Sequence, residues 1–317
     1  MKLSFNKSLI IHHWDTDGLC SAALILQQIV KDNPSAQVEL RPPLINNYFL
    51  TELERIQIQK ENFDCIIVVD LNFNAQTISQ LQGLTPNLIW FDHHLNQVKK
   101  TILGLQDPTY LSCSHLITDY FKIADQTLAA LGLVGDQEEK VKAHPLVKNF
   151  ANCIKLKQLI DSSYIIGDYA QIKQTIRQLA IDPWKLLDNP KLNQNIQNIE
   201  QEEAKALKQI PEVQQQIYCY QLESPYNSLS AITRKLAKLH PDKIILNIQQ
   251  HNGSSNLYVR TARPDYNLKD LIEYAKGLGY SAGGKKEVMG VVLPTAELND
   301  FKEKIINKIC QNSSSLD

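Results

Sequence analysis

Ionisable side chains stand directly after three apolar runs in the first third of the chain, at residues 8–12, 65–69 and 87–91. Each run is typical of a buried strand, and open α/β sheets bind ligands at the carboxyl ends of their strands. The residues that follow the runs are His13, Asp15 and Asp17, then Asp70, then Asp92, His93 and His94. Side chains two residues apart point to the same side of an extended chain, so we expect His13, Asp15 and Asp17 to converge on one point.

Several carboxylates in one crevice repel each other unless they take up protons or hold cations. Imidazoles among them favour a pair of ions such as Mn²⁺ or Mg²⁺, because mixed Asp and His ligands suit these metals. The chemistry that such a pair serves best is displacement at phosphorus. The pattern therefore predicts a metal-dependent reaction of a phosphate ester.

The same residues resemble the DHH phosphoesterase family, which is named for the triplet that stands here as Asp92-His93-His94. The segment from His13 to Gly18 is similar to the first motif of the family, and Asp70 to the second. Asp136, after the apolar residues 129–134, is similar to the fourth. The four motifs come in the order that the family has, which makes the resemblance specific.

The resemblance implies a role for each residue of these motifs. Asp70 is expected to bridge two ions, His94 to contact the substrate phosphate, and Asp92 to orient an imidazole. We count Asp70, Asp92 and His94 as catalytic. The implied metal ligands are His13, Asp15, Asp17, Asp70, His93 and Asp136. The ions are expected to be two Mn²⁺, with Mg²⁺ or Co²⁺ as alternatives, and Asp168 is an alternative to Asp136 because it also follows a glycine.

Residues 281–290 are similar to the substrate-binding domain that accompanies this family and to its Gly-Gly-His signature, with Lys285 in the position of the usual His. Gly283, Gly284 and Lys285 predict a loop whose amides and ammonium group can approach a phosphate. The ammonium can hold a phosphate but cannot exchange donor and acceptor roles as imidazole does. Arg260 is a second candidate for phosphate binding. The alternative for Gly283, Gly284 and Lys285 is an ordinary loop, and the alternative for Arg260 is an exposed strand end.

The length of 317 residues indicates two domains. Short apolar runs alternate with amphipathic segments in the first half, which predicts an α/β domain with a mostly parallel sheet at residues 1–185. A polar, helix-favouring stretch predicts a long connecting helix at 186–215. A smaller α+β domain that binds the substrate is predicted at 216–317.

The composition argues against several classes of protein. A net charge of −1 does not suit a protein that wraps long nucleic acids. The six cysteines are scattered without a Cys-x-x-Cys pair, which argues against a zinc ribbon or a redox motif. No apolar run reaches the length of about 20 residues that a membrane span needs. We therefore expect a cytoplasmic protein with no membrane partner.

These observations, together with the resemblance, predict a phosphodiesterase or exonuclease that acts on single-stranded DNA or RNA or on a short oligonucleotide. The alternative substrates are cyclic dinucleotides, nucleoside bisphosphates, pyrophosphate and polyphosphate. A replisome-type scaffold with a degenerate site is the alternative that is not an enzyme. The sequence leaves open the substrate, the polarity of degradation and the oligomeric state, with a homodimer among the options.

Overall fold

The computed structural model describes residues 1–45, 47, 49–94, 102–251, 253–264 and 266–313. The chain divides into two compact units, Met1–Ile196 (unit 1) and Gln197–Asp317 (unit 2). No helix in these described ranges is both long enough and apolar enough to cross a membrane.

Unit 1 contains a five-stranded parallel sheet in the order β2-β1-β3-β4-β5. The strands are β1 (Lys7–His12), β2 (Gln37–Arg41), β3 (Cys65–Val69), β4 (Leu88–Asp92) and β5 (Leu103–Gln106). The central strands β3 and β4 are buried along their whole length, as expected where helices cover both faces of a parallel sheet. The sheet therefore presents its carboxyl ends along one edge.

The helices of unit 1 cover the two faces of this sheet. They are α1 (Thr16–Asp32), α2 (Glu52–Glu61), α3 (Ala75–Gln82), α4 (Cys113–Phe121), α5 (Thr127–Gln137), α6 (Phe150–Ile166) and α7 (Tyr169–Ile181). Ile10, Ile67 and Phe91 belong to the core that includes α1 and α4 to α7. Leu9 and Val68 face the opposite way, into the core that α2 and α3 share. Thr51 and Glu54 form a capping box at the start of α2, as their spacing predicts.

Helix α8 (Pro190–Ala206) contains the boundary between the units. Unit 2 has a mixed six-stranded sheet in the order β10-β11-β9-β8-β7-β6. Its elements are β6 (Glu212–Gln214), β7 (Ile217–Gln221), α9 (Leu229–Leu239), β8 (Ile244–His251), β9 (Ser254–Thr261), α10 (Lys269–Gly277), β10 (Ser281–Lys285), β11 (Val288–Pro294) and α11 (Leu298–Ser313). Helix α9 covers one face, and α10 and α11 cover the other. The predicted fold class, α/β with a mostly parallel sheet plus a smaller α+β part, is confirmed.

The predicted loop at Gly283, Gly284 and Lys285 is wrong, because these residues form most of edge strand β10, paired with β11. Glycine has little strand preference, but ladder hydrogen bonds use only the backbone. Gly284 has a φ of 150°, and a Cβ there would lie 2.0 Å from the Val288 carbonyl oxygen. Only glycine therefore fits this position of the hairpin.

Candidate metal centre

Asp70 lies at the middle of the candidate site, at the point where β3 ends. Its φ of 56° places it in the left-handed region, which Asp tolerates better than most residues do. The backbone N–H of Asp70 donates to the Phe91 carbonyl oxygen at 3.0 Å. Strained backbone of this kind clusters at functional sites. Asp70 is 2% exposed, so its carboxylate needs partners within the protein or a bound cation.

The two oxygens of Asp70 face different sets of side chains. Oδ2 lies 3.9 Å from His13 Nδ1, which is in turn 2.8 Å from Asp15 Oδ1. Oδ1 lies 3.4 Å from His93 Nε2 and 4.0 Å from His94 Nδ1. Asp70 thus joins two groups of potential ligands.

Asp17 occupies the other side of His93. It is fully buried, and its carboxylate accepts from the backbone N–H groups of Cys113 and Ser114 at 2.6 and 3.0 Å. These amides begin α4, and the positive end of a helix favours a negative charge. His93 Nε2 lies 4.0 Å from Asp17 Oδ2 and 3.1 Å from Asp136 Oδ2.

Asp15 and Asp17 do not converge on one point as the extended-strand argument predicted. Strand β1 ends at His12, Asp15 caps α1 by accepting from the Gly18 N–H at 3.1 Å, and Asp17 lies in the first turn of that helix. The change from strand to helix turns the two carboxylates apart. Asp15 lies with His13 and Asp70, and Asp17 lies with His93 and Asp136.

Three overlapping groups of side chains could each hold a cation, with ligand atoms within 4.8 Å of one another. They are His13, Asp15 and Asp70; Asp17, His93 and Asp136; and Asp70, His93 and His94. Together they include all six of the predicted ligands, while Asp168 lies elsewhere and caps α7.

Two buried atoms at the centre of the site fit this donor set. Asp70 Oδ1 and His93 Nε2 make no well-formed hydrogen bond within the described part of the chain, although they lie 3.4 Å apart. Buried polar atoms are rarely left in this state, and a bound cation would give both atoms a partner. A mixed carboxylate and imidazole set also suits Mn²⁺ and related ions.

The electrostatics of the site reflect carboxylates buried close together. Burial and the charge of Asp136 raise the pKa of Asp17 to about 7. Burial and the charge of Asp17 raise the pKa of Asp70 well above its usual range. Burial works against the charged form of His93, but the nearby carboxylates of Asp136 and Asp70 raise its pKa to about 12. When no cation is bound, bound protons therefore reduce the repulsion between these carboxylates.

The two histidines of the triplet have different second partners. His93 Nδ1 lies 3.3 Å from the Tyr110 carbonyl oxygen and can donate to it, which leaves Nε2 facing the carboxylates. His94 Nδ1 lies 2.7 Å from Asp92 Oδ1, and its side chain is 44% exposed. Asp92 is fully buried, so the orienting role predicted for it agrees with the contact it makes to His94.

His12, which precedes the first motif, lies apart from this cluster. It is fully buried, and burial lowers its pKa to about 4. Its Nδ1 lies 2.6 Å from the His13 carbonyl oxygen. It therefore supports the backbone beside the site.

The close packing of α5 onto α1 depends on Gly132, which the sequence did not single out as a site residue. A Cβ at Gly132 would lie 1.9 Å from Ser114 Oγ and 2.2 Å from Asp17 Oδ1. The glycine lets α5 approach Asp17 and bring Asp136 toward His93. The feature of the sequence that could have identified Gly132 is its position in the apolar run that precedes Asp136.

Three of the candidate phosphate-binding residues of unit 2, Arg260, Gly283 and Lys285, lie on one face of its sheet. Lys285 and Arg260 both pair with Val288 of β11, from opposite sides, and directly paired residues project from the same face. The next pair on the same face is Gly283 with Gly290, and Gly290 lies beside the Tyr258 ring. A Cβ at Gly283 would meet no other atom within 4 Å. The backbone is thus open at Gly283, next to Lys285 on this face.

Comparison with known proteins identifies one family and one fold. Residues 7–155 match the family model described as DHH family, N-terminal domain. The structure is similar to that of RecJ from Thermus thermophilus in complex with Mn²⁺, with a TM-score of 0.69 and 15% identity, over 96% of this chain and 52% of RecJ. The chain thus spans about half the length of that protein.

Two shorter proteins have a similar fold. The pGpG-specific phosphodiesterase PggH from Vibrio cholerae matches with a TM-score of 0.56 and 14% identity, over 96% of this chain and 99% of PggH. An exopolyphosphatase-related protein from Bacteroides fragilis matches with a TM-score of 0.52 and 13% identity, over 96% of this chain and 92% of that protein. No curated protein matches the sequence significantly. At these identities the likeness to solved structures shows the fold.

Proposed function

We propose that the protein is a two-metal phosphoesterase that hydrolyses phosphodiester bonds of single-stranded or short oligonucleotides. The basis of the proposal is that residues 7–155 belong to the DHH family, as the four motifs predict. The observation that carries the proposal is the position of Asp70. Its Oδ2 faces His13 and its Oδ1 faces His93, and the ligand groups on these two sides share no other residue. A carboxylate shared in this way suits two neighbouring cations.

The chain would hold one ion with His13, Asp15 and Asp70 and the other with Asp17, Asp70, His93 and Asp136. When bound, a pair of divalent cations supplies a water of lowered pKa and positive charge beside the phosphate oxygens. The protein fixes the positions of the ligands: the start of α4 holds Asp17, and the Tyr110 carbonyl holds His93. Preorganised ligands of this kind reduce the reorganisation needed during the reaction.

His94 is the proposed contact to the substrate phosphate. Asp92 holds its Nδ1 at 2.7 Å, which leaves Nε2 of the half-exposed ring for the substrate. Arg260 and Lys285 are proposed to bind further phosphate oxygens, with Gly283 and Gly284 allowing close approach. Charge-assisted hydrogen bonds of this kind are stronger than neutral ones.

A second candidate is hydrolysis of a dinucleotide or another small phosphate compound, including cyclic dinucleotides, nucleoside bisphosphates, pyrophosphate and polyphosphate. It is favoured by the likeness in fold to PggH, over 99% of that protein, and to the exopolyphosphatase-related protein, over 92% of that protein. The scaffold alternative requires a degenerate site, whereas here every motif carboxylate and both histidines are in place.

The test is to load the purified protein with Mn²⁺, Mg²⁺ or Co²⁺ and offer a panel of substrates. The panel holds end-labelled single-stranded DNA and RNA of 2 to about 20 nucleotides, cyclic dinucleotides, a nucleoside bisphosphate, pyrophosphate and polyphosphate. We expect shortening of the single strands that stops in excess chelator. Turnover of a small phosphate compound alone would favour the second candidate. No turnover of any of them, with the metal bound, would favour the scaffold.

A further inference from the structure

Asp161 is a buried carboxylate outside the metal centre and outside residues 7–155. It lies in α6, is 6% exposed, and is saturated with hydrogen bonds. Oδ1 accepts from the Thr16 N–H at 3.0 Å and from the Thr16 hydroxyl at 2.7 Å. Oδ2 accepts from Lys157 Nζ at 2.8 Å. A buried carboxylate is costly unless it is paired in this way, so its placement needs a reason beyond the packing of α6.

Thr16 connects the two halves of the metal centre. It stands between Asp15, which belongs with His13 and Asp70, and Asp17, which belongs with His93 and Asp136. Thr16 is fully buried and is the first residue of α1. The first N–H groups of a helix have no partner within the helix. Asp15 accepts from Gly18, and Asp161 accepts from Thr16, so two carboxylates hold two of these amides.

Lys157 balances the charge of Asp161 and extends toward the site. Its ammonium group is one helical turn from Asp161 and 3.7 Å from Glu138 Oε1, and its side chain is 19% exposed. Lys157 thus offsets the charge of Asp161, and Asp161 holds the segment between Asp15 and Asp17 through its two bonds to Thr16.

We propose that Asp161 is a positioning residue that fixes the peptide between Asp15 and Asp17 and so keeps one carboxylate aimed at each cation position. This inference rests on the proposed two-metal function. Asp161 acts through Thr16 and makes no contact with a cation or the substrate. Its loss lets the start of α1 turn, which moves Asp15 and Asp17 together.

The test measures Mn²⁺ affinity and stoichiometry by titration calorimetry, at a temperature where circular dichroism shows each variant to be folded. Partners that orient metal ligands are worth about 10-fold to 100-fold in metal affinity. We expect Asp161→Ala to lose affinity in this range at both cation positions. Asp161→Asn keeps an oxygen that can accept from Thr16, so it should retain more affinity than the alanine variant. Thr16→Val loses the hydroxyl bonds to Asp161 and to the Lys157 carbonyl but keeps the N–H bond to Asp161, and it should bind Mn²⁺ about 3-fold to 10-fold more weakly.

The control is Asp168→Ala, which removes a carboxylate that caps α7 by accepting from the Gln171 N–H at 2.9 Å. It should lower stability without changing Mn²⁺ affinity. If the control weakens Mn²⁺ binding as much as Asp161→Ala does, or if Asp161→Ala and Thr16→Val bind as tightly as the parent, Asp161 has no positioning role. Should Asp161→Ala fail to fold, Thr16→Val decides. A parent protein that binds no Mn²⁺ overturns the proposed function as well.

Discussion

At the scale of single residues, Asp70 is the sharpest test of the shared-ligand arrangement. We expect Asp70→Asn to lose turnover by more than about 100-fold, because two cations supply several kcal/mol of transition-state stabilisation and each would lose a ligand. Asparagine tolerates the left-handed backbone at this position better than alanine does. Because burial and Asp17 raise the pKa of Asp70, the neutral amide should also raise the thermal midpoint of the metal-free protein near pH 8.

A turnover assay of the Mn²⁺-loaded proteins and a thermal melt of the metal-free proteins check the two halves of this prediction. Full turnover by Asp70→Asn would exclude a bridging role. A variant that melts well below the parent would show that Asp70 is needed for folding.

Metal affinity should depend on pH through the raised pKa of Asp17. In the metal-free protein this carboxyl keeps its proton up to about pH 7, and His93 keeps its own to higher pH, so binding must displace protons. Mn²⁺ affinity is therefore expected to rise between about pH 5 and pH 8, with proton release still detectable at the upper end. Calorimetry in two buffers of different ionisation enthalpy measures the number of protons released on Mn²⁺ binding. A Mn²⁺ affinity that does not change across this pH range would contradict the prediction.

Lys285 is the residue at which the chain departs from the Gly-Gly-His signature. Lys285→Ala should raise KM about 10-fold or more with a smaller change in kcat, because a hydrogen bond to a charged group contributes about 1.5–3 kcal/mol and ground-state binding is lost. Lys285→His should restore part of the binding and make it depend on pH between about 6 and 8.

The matched control for this pair is Lys276→Ala, since Lys276 is an exposed lysine of α10 that pairs with Glu273. It should leave KM unchanged. If Lys285→Ala and Lys276→Ala behave alike, β10 is only structural and the phosphate contacts of unit 2 centre on Arg260.

The residue types around the proposed cation positions could be predicted from sequence, and the positions that support them could not. His13, Asp15 and Asp70 are recognisable because they follow apolar runs. Asp161 is separated from Thr16 by 145 positions and lies in a helix with no motif, so only the folded chain brings them together. The Tyr110 carbonyl is a backbone group, which side-chain spacing cannot reveal.

At the scale of elements, the contact between α5 and α1 depends on the bare backbone of Gly132. We expect Gly132→Ala to displace α5 and to weaken Mn²⁺ binding at Asp17 and Asp136, with a loss of about 1–3 kcal/mol in the free energy of unfolding, as overpacking usually costs. The measurements are chemical denaturation and Mn²⁺ titration.

Gly277→Ala is the matched control, because Gly277 ends α10 and a Cβ there would meet no atom within 4 Å. Alanine is the better helix former by about 0.5–1 kcal/mol, so this variant should be as stable as the parent or more stable. Unchanged metal binding in Gly132→Ala would mean that α5 can relax without moving Asp136.

Elements with strong sequence patterns agree with their predictions, and weakly patterned ones do not. Strand β3 is a continuous apolar run, β1 has the apolar residues 9–11 at its centre, and α2 carries a capping box. Strand β10 is not predictable in this way, because Gly283 and Gly284 pair through backbone groups that leave no side-chain pattern. The alternation of His13, Asp15 and Asp17 suggests an extended chain, and it conceals the turn that places Asp17 in α1.

At the scale of the whole molecule, the proposed cation ligands lie between His13 and Asp136, entirely within unit 1. A fragment of residues 1–206, which keeps α8 intact, should therefore bind Mn²⁺ with the stoichiometry of the full chain. It should turn over oligonucleotides poorly if Arg260 and Lys285 bind phosphate. Residues 207–317 should bind an anionic ligand without hydrolysing it. Turnover by the shorter fragment equal to that of the full chain would remove unit 2 from the reaction.

The ligand order along the chain also bears on how the protein is made. Synthesis runs from the N-terminus, and domains generally fold as they emerge. Every proposed cation ligand has been synthesised once α5 is complete, before the strands of unit 2 exist. A cation that binds only the folded form stabilises that form by mass action. The proposed cations would then stabilise the native state of unit 1 from the time of translation onward.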